Sequence, residues 1–315
     1  MLERLDLKIL AELNKNPRSP CSAIAKRVGS SKETVNYRIR RMISKKIITQ
    51  FTTSFGLGYQ AYKTVIQLKN TSPEEEEEII RFLAQHPNIN WVTPCSGNWD
   101  VIFAIMAKDT IQFNAILREI TNRIDKALED YAFSIDIMPR IYGHTYILKN
   151  INEDKAIDQK NIMLDEKDKK ILRILHTDAR AKIVDISGTT EIPADTIKYR
   201  IRRMEKEGII RRYRVIIDRT LLGYHRYEIF IRCINLSKSV LAKFEEYAKQ
   251  NPNISFFSLC AGSWDIEFTV NLKDNHELRD FIVEVKKQFG DQIKTVESLT
   301  LFNTLNFSYY PEELK

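Results

Sequence analysis

The sequence predicts an α+β protein built from two tandem copies of one unit, each a small helical domain followed by a mixed α/β domain. Three observations carry this prediction. First, residues 34–42 recur as residues 196–204, with seven of nine residues identical at an offset of 162. Second, net positive charge is confined to the two segments that contain this repeated stretch. Third, the segment after each of them alternates between strand-like and helical patterns in the same order.

The duplication extends over nearly the whole chain. Leu2, Leu10, Leu13 and Arg18 match Leu164, Leu172, Leu175 and Arg180 without a gap. At an offset of 165, residues 57–59 (Leu-Gly-Tyr), 87–89 (Pro-Asn-Ile) and 95–100 (Cys-x-Gly-x-Trp-Asp) match residues 222–224, 252–254 and 260–265. Two copies are too few for a solenoid, so we expect each copy to hold a core of its own.

Each copy begins with three short amphipathic helices. In copy one the last of them buries Val35, Ile39 and Met42 at i, i+4 and i+7. Gly29 suits the end of the second helix, and residues 30–33 (Ser-Ser-Lys-Glu) predict a capping box for the third. This arrangement predicts a helix-turn-helix, followed at residues 47–52 by a β-rich wing or connecting strand.

The two copies differ at the residues that should begin or end their second and third helices. Copy two has Gly188 inside its expected second helix and Glu191 in place of Gly29, so its turn is less regular, although Pro193 suits the first position of the third helix. Lys46 stands where copy two has Gly208, and a left-handed lysine is strained by roughly 1–2 kcal/mol.

The following hundred residues of each copy have a different pattern. In copy one, residues 62–68, 89–95, 99–107 and 131–142 predict strands, and residues 73–85 and 113–124 predict helices. Gly97-Asn98 joins the middle strands as a hairpin, and the glutamates of residues 74–78 suit a solvated helix N-terminus. The order β-α-β-β-α-β predicts a ferredoxin-like sandwich.

These assignments divide the chain into five segments. We predict helix-turn-helix domains at residues 1–50 and 164–214, ferredoxin-like domains at residues 51–149 and 215–315, and a polar linker at residues 150–163.

The distribution of charge predicts the partner. Residues 1–50 hold 12 basic and 4 acidic residues, and residues 164–214 hold 14 and 9, whereas both ferredoxin-like segments are net acidic. Two segregated basic segments indicate two footprints for double-stranded DNA, although an ordinary solvated basic face is the alternative.

Other partners and cofactors find no support in the sequence. No apolar run reaches the ~18–20 residues of a membrane helix, and the N-terminus lacks a signal-peptide pattern, so we expect a cytoplasmic protein without a membrane partner. The four cysteines form no Cys-x-x-Cys pair and the five histidines show no metal-ligand spacing, so we expect neither metal nor cofactor.

Three features resemble the leucine-responsive / asparagine-synthetase regulator (Lrp/AsnC) family of prokaryotic transcription factors. They are Leu2 to Met42 with the Tyr-Arg-Ile-Arg-Arg-Met helix, the Leu-Gly-Tyr that opens the second domain, and Gly-x-Trp-Asp. The tandem is a departure, because members usually carry one copy per chain and pair through the sheets of their second domains. The resemblance implies an amino acid or related small-molecule effector near the Gly97–Asp100 hairpin. It leaves open whether the small domains pair as an intrachain pseudo-dimer or between chains as a homo-oligomer.

The repeated helix supplies the candidate DNA contacts. They are Lys32, Thr34, Asn36, Tyr37, Arg40, Arg41 and Lys45 in copy one, and Thr196, Lys198, Tyr199, Arg202, Arg203, Lys206, Arg211, Arg212 and Arg214 in copy two. Tyr37 and Tyr199 would either read bases or bond a phosphate. For Arg38 and Arg200 the alternative is an ion pair with Asp6 or Asp168. Because Lys198 replaces Asn36, adenine-type readout is open to one copy only, which predicts an asymmetric operator.

The candidate effector residues are Gly97, Asn98, Trp99 and Asp100, with Gly262, Ser263, Trp264 and Asp265 in copy two. Trp99 and Trp264 either contact a ligand or pack the sheet. Asp100 and Asp265 either bond an effector's amino group or cap the hairpin.

We therefore predict a sequence-specific, effector-responsive transcription regulator without catalytic residues. One alternative is a siroheme decarboxylase-like enzyme of the same superfamily, but residues 91–97 offer no His, Tyr or Arg for a tetrapyrrole propionate. The other is an architectural DNA-binding protein without sequence preference.

Overall fold

The computed structural model describes residues 2–148 and 163–305. The predicted linker, except for Met163, lies outside the described residues. These residues form two compact units, each assembled from both copies: residues 2–58, 143–148 and 163–223 form the head unit, and residues 59–142 and 224–305 form the barrel unit. Within the described ranges, no helix has the length and apolar character needed to cross a membrane.

The head unit holds both sets of three helices, with elements numbered along the whole chain. Copy one contributes α1 (Arg4–Lys15), α2 (Cys21–Val28), α3 (Lys32–Ser44), β1 (Ile48–Phe55) and the short α6 (Thr145–Leu148). Copy two contributes α7 (Glu166–Thr177), α8 (Ile183–Thr190), α9 (Ala194–Lys206) and β6 (Ile210–Ile217).

The ends of these helices follow local chemistry. Gly29, at φ +69°, ends α2 in the left-handed conformation, as predicted. The N-cap of α3 is Ser31, whose Oγ accepts a hydrogen bond from the Thr34 backbone N–H at 3.0 Å. In copy two, Pro193 is the N-cap of α9 and not its first residue. Lys46 and Glu191 are both left-handed, at φ +57° and +60°, where glycine would be free of strain.

The segment predicted as a wing or connecting strand pairs with the other copy. β1 lies antiparallel to β6, with register from Ile48 opposite Ile217 to Phe55 opposite Ile210. Val215 and Ile217 of copy two are buried in the same cluster as Ile9 and Leu13 of copy one. The expectation that each copy holds its own core is therefore wrong for the first head.

The barrel unit contains two β-α-β-β-α-β sets, one from each copy. Copy one contributes β2 (Gln60–Leu68), α4 (Pro73–Gln85), β3 (Ile89–Ser96), β4 (Val101–Ala107), α5 (Thr110–Arg123) and β5 (Leu128–Ile141). Copy two contributes β7 (His225–Cys233), α10 (Lys238–Gln250), β8 (Ile254–Gly262), β9 (Ile266–Leu272), α11 (Asn275–Phe289) and β10 (Ile293–Leu301).

The sheets of the two copies are not separate. Their eight strands close into one barrel in the order β10-β3-β4-β2-β5-β8-β9-β7. One seam joins β5 to β8, from Ser134 opposite Gly262 to Ile141 opposite Phe256. The other joins β10 to β3 at Thr300 opposite Ser96 and Leu301 opposite Cys95. The prediction of one four-stranded sheet per copy thus needs correction, because each sheet closes its edges on the other.

Strand alternation gives the barrel two kinds of core. One face of each copy's strands packs against that copy's own helices, around residues such as Phe103 and Phe268. The opposite face is turned into the barrel, where Trp91 and Ile102 of copy one share a cluster with Phe230 and Trp264 of copy two. The helix-facing core of copy one comes from that copy alone, whereas the helix-facing core of copy two also includes Tyr142 of copy one.

Candidate nucleic-acid interface and effector site

The repeated helices α3 and α9 each bury one face and expose the other. Val35, Ile39 and Met42 are buried on α3, as are Ile197, Ile201 and Met204 on α9. Tyr37 and Tyr199 are 64% and 68% exposed. Lys32, Arg40, Lys45, Lys198, Arg202 and Lys206 are exposed, and Thr34, Asn36 and Thr196 are half-buried. Tyrosine is enriched at interfaces because it joins an apolar ring to a polar hydroxyl, so this exposed face suits contact with another molecule.

Arg40 and Arg202 are the exposed arginines of this face. Among residues 2–148 and 163–305, neither forms an ion pair. A guanidinium without a protein partner keeps its donors for phosphate oxygens or for the acceptor pair of a guanine.

The next arginine along each helix, Arg41 or Arg203, is also a predicted DNA contact, and its guanidinium is engaged within the protein. Arg41 donates to the fully buried Asp6 at 2.7 Å, and Arg38 pairs with the same carboxylate at 3.2 Å. In copy two, Arg203 and Arg200 pair with Asp168 in the same way. These arginines hold the third helix of each head against the first.

The electrostatics of Asp6 follow from this arrangement. Burial alone would raise the pKa of Asp6, but the Glu3 backbone N–H and the Arg38 and Arg41 guanidiniums together hold that pKa below its ordinary value of 3.8. The carboxylate therefore stays ionised and the ion pair persists at neutral pH.

The predicted phosphate contacts on β6 lie in a different setting. Arg211 and Arg212 line a surface cavity of about 280 Å³ together with Lys15 and Tyr213. The Arg212 guanidinium also donates to the Asn14 carbonyl oxygen at 3.0 Å. These side chains lie where the helices of copy one meet the β6 strand of copy two.

The two heads are joined by reciprocal contacts that sequence reasoning missed. Arg18 donates to the Ala179 carbonyl and Arg180 donates to the Pro17 carbonyl, each at 2.6 Å. The Arg18 guanidinium lies 5.1 Å from the centre of the Tyr213 ring, and Arg180 lies 5.2 Å from that of Phe51. All these residues are equivalent at the offset of 162, so the contacts obey an internal two-fold relation. The signal was present, because Arg18 and Arg180 match in the repeat.

The glycines of the predicted effector hairpins serve barrel closure. Gly97 and Gly262 both have φ +147°. A Cβ on Gly262 would lie 2.5 Å from the Phe133 carbonyl oxygen, and one on Gly97 would lie 2.8 Å from Leu299 Cδ2. Each glycine therefore lets one copy approach the last strand of the other.

The aspartates and tryptophans of these hairpins are largely structural. Asp100 Oδ2 accepts from the Leu68 backbone N–H at 2.7 Å, and Asp265 Oδ2 accepts from the Cys233 backbone N–H at 2.8 Å. Trp264 is buried and stacks on Phe230 with ring centres 4.0 Å apart.

The remaining hairpin residues differ in exposure. Trp99 is half-buried against the barrel-interior cluster. Asn98 and Ser263 are exposed. Of the predicted effector residues, these last two keep side chains directed to solvent.

The barrel interior brings together polar residues that were not predicted. Lys63 pairs with Glu228 at 2.8 Å and also with Glu267. Asp136, Cys260 and Glu267 place their ligand-type atoms within 4.8 Å of one another, and burial raises the pKa of Asp136. The Lys63 ammonium already supplies a cation at Glu267, so this cluster is neutralised in part by the protein itself.

Two cysteines, Cys95 and Cys260, are buried in this interior. The thiols of Cys95 and Cys260 are free. Burial raises the pKa of the Cys95 thiol to about 12, which suppresses the reactive thiolate.

Comparisons with known proteins give the family. A winged helix-turn-helix DNA-binding family matches residues 2–49 and 164–211. An uncharacterised HTH-type transcriptional regulator of Pyrococcus horikoshii is 33% identical over 150 residues, which cover 48% of this chain and 93% of that protein. The HTH-type transcriptional regulator LysM of Saccharolobus solfataricus is 28% identical over 119 residues, covering 38% of this chain and 83% of LysM.

A solved structure resembles the whole chain. The siroheme decarboxylase NirDL covers 99% of this chain and 98% of its own, with a TM-score of 0.67 and 12% identity. At that identity the likeness concerns the fold alone. The repeated helix-turn-helix match and the Pyrococcus relative instead identify the family: the chain belongs to the HTH-type transcriptional regulators and carries their DNA-binding module twice, in keeping with the Lrp/AsnC resemblance of its sequence.

Proposed function

We propose that this chain is a sequence-specific DNA-binding transcription regulator in which α3 and α9 read two half-sites of one operator. The observation that carries the proposal is the exposure of Arg40 and Arg202, without an ion pair to any described residue, at equivalent positions of two heads fixed to each other by β1 and β6. We also propose the division into two DNA-binding and two effector domains given by the repeat.

Joining the heads changes the energetics of binding. Once one head is bound, the second half-site is engaged within the same complex, so affinity rises without new contacts when the spacing fits. Half-sites one helical turn apart would be centred about 34 Å from each other. If each head neutralises about three phosphates, log K should fall with log salt at a slope near −5.

The test is a salt titration of binding to operator DNA selected from genomic fragments, measured by fluorescence anisotropy. A slope near −5 on selected DNA and much weaker binding to random DNA support the proposal. A slope near zero contradicts it. Equal affinity for random and selected fragments would instead favour an architectural DNA-binding role.

We further propose that each copy of the barrel unit is a ferredoxin-like effector domain and that an amino acid or a related small metabolite binds there. The β-α-β-β-α-β order supports this, as does the Lrp/AsnC resemblance, which implies an amino acid or related effector near the hairpin. Asn98 and Ser263 are the side chains we expect to reach the effector. The measurement is thermal unfolding of the chain with each amino acid, followed by DNA affinity with any that stabilises it.

The siroheme decarboxylase alternative rests on fold likeness over the whole chain. Incubation with siroheme and inspection for a Soret band separates the two functions. A stoichiometric Soret band would favour the enzyme over the transcription regulator.

A further inference from the structure

An ionic triad inside the barrel joins the two copies. Lys63 on β2 comes from copy one, and Glu228 on β7 and Glu267 on β9 come from copy two. The lysine side chain is 5% exposed and both glutamates are fully buried. Its ammonium donates to Glu228 Oε1 at 2.8 Å and to Glu267 Oε1. Buried charges are tolerated only when each has such a partner.

Neighbouring groups complete the network. The Thr269 hydroxyl donates to Glu228 Oε1 at 3.0 Å, and the Trp264 indole N–H donates to Glu267 Oε2 at 3.1 Å. The Lys63 ammonium also lies 5.6 Å from the centre of the Trp91 ring and 4.7 Å from that of Phe256, one ring from each copy. The lysine thus depends on groups of both copies.

The charges occupy equivalent positions of the duplication. Lys63 lies opposite Ala104, and Glu228 lies opposite Thr269, so the lysine and this glutamate correspond at the offset of 165. Glu267 lies opposite Phe230 and corresponds to Ile102. Copy one therefore carries Lys and Ile at the two positions where copy two carries Glu and Glu.

Pairing of like halves would destroy this complementarity. Two copy-two halves would bury four carboxylates, with no ammonium from these positions. Two copy-one halves would bury two lysines without Glu228 or Glu267, leaving Asp136, on β5, as the nearby acid. Removing the partner of a buried charge is strongly destabilising, and such clashes are how interfaces reject wrong partners.

We propose that the Lys63–Glu228–Glu267 triad is a pairing code. It makes a copy-one half accept a copy-two half and reject another copy of itself. The partner that fits each open half-barrel is therefore the unlike half of this chain. The proposal does not depend on DNA binding.

The test exchanges the code between the copies of the full chain. Variant A carries Lys63→Glu and Ile102→Glu, variant B carries Glu228→Lys and Glu267→Ile, and the inverted variant carries all four. All three tryptophans of the chain lie in the barrel unit, so their emission during urea unfolding reports on the barrel alone.

We expect variants A and B to lose most of the parental tryptophan transition and the inverted variant to recover a midpoint near the parental one. If the inverted variant is as unstable as A and B, the code is refuted, since complementarity would then be irrelevant. The code is also refuted if A and B unfold like the parent.

Mixing variants A and B gives a second readout, which does not require either variant to form a closed barrel by itself. Variant A has two acidic halves and variant B has two basic halves, so we expect their equimolar mixture to form a 1:1 complex that neither forms with itself. Size-exclusion chromatography with light scattering measures this directly. Absence of that complex, with both chains still dispersed, contradicts the proposal.

Discussion

The neighbouring arginines of the third helix allow a matched test of DNA reading. Arg40 and Arg202 are exposed and make no ion pair among the described residues, whereas Arg41 and Arg203 hold buried aspartates. We expect Arg40→Ala with Arg202→Ala to weaken operator binding by about 1–3 kcal/mol per head, or roughly 5- to 150-fold. The salt slope should become shallower by about 0.9 for each phosphate that the variant no longer neutralises.

Stability provides the contrast between the two pairs. The Arg40 and Arg202 changes should alter the free energy of unfolding by no more than about 0.5 kcal/mol, because the side chains are exposed. Arg41→Ala with Arg203→Ala should instead lower it by about 1–3 kcal/mol per head, since each removes a charge-assisted hydrogen bond from a buried carboxylate. Urea unfolding measures both.

The assay is fluorescence anisotropy with labelled operator between about 50 and 200 mM salt. Over this range, phosphate contacts dominate the change of DNA affinity with salt concentration. The Arg41 and Arg203 variant is measured at a temperature where it remains folded, and we expect its slope to match that of the parent. If its slope became shallow while the Arg40 and Arg202 variant kept the parental slope, the assignment of reading and positioning arginines would be reversed.

Three further predictions concern a barrel glycine, a buried histidine and the pair of residues that differ between the two reading helices. In urea unfolding, Gly262→Ala should lower the midpoint strongly, because its Cβ would meet backbone atoms at 2.5–2.8 Å. The control Gly188→Ala should be neutral or stabilising, because a Cβ there would have no atom within 4 Å. Burial lowers the pKa of His144 from 6.5 to about 4, so the neutral ring contributes stability that is complete above pH 6.5 and is lost as pH falls toward 4. His144→Gln should remove up to about 3 kcal/mol of that pH dependence, and an unchanged pH profile of unfolding would refute this. Exchanging the reading residues, Asn36→Lys with Lys198→Asn, should reverse the preferred orientation of an asymmetric operator in binding selection, and an unaltered consensus would contradict it.

The helices of the heads and the strands of each copy were predictable because their signals are local. Val35, Ile39 and Met42 mark a buried stripe by spacing alone, and Gly29 marks a helix end by its conformational freedom. The predicted cap of α3 was misplaced by one residue, because Ser30 and Ser31 offer the same chemistry and only the backbone geometry selects between them.

The ion pair of Arg41 with Asp6 was missed from the sequence for a different reason. At 100° per residue it flanks the exposed face, but an arginine side chain is long enough to reach back to Asp6, 35 positions away in sequence. A residue's direction from the helix axis does not fix where its charged end lies.

The barrel could not be predicted from either copy. The strand pattern around Lys63 gives the same alternation whether its inner face is covered by solvent or by another sheet. The burial of Lys63 is explained only by Glu228 and Glu267, whose compensating charges lie 165 and 204 positions away in the sequence.

The interleaving of the two units along the chain has a consequence for biosynthesis. β5 ends at Ile141, and β10, which seals the second seam, begins at Ile293, about 150 residues later. At about 5–20 residues per second, a ribosome needs roughly 8–30 s to span that interval. During this time the nascent half-barrel presents open strand edges and an apolar inner face, the features that invite aggregation. Chaperone capture of this emerging polypeptide should therefore be greatest shortly before translation delivers the closing strand.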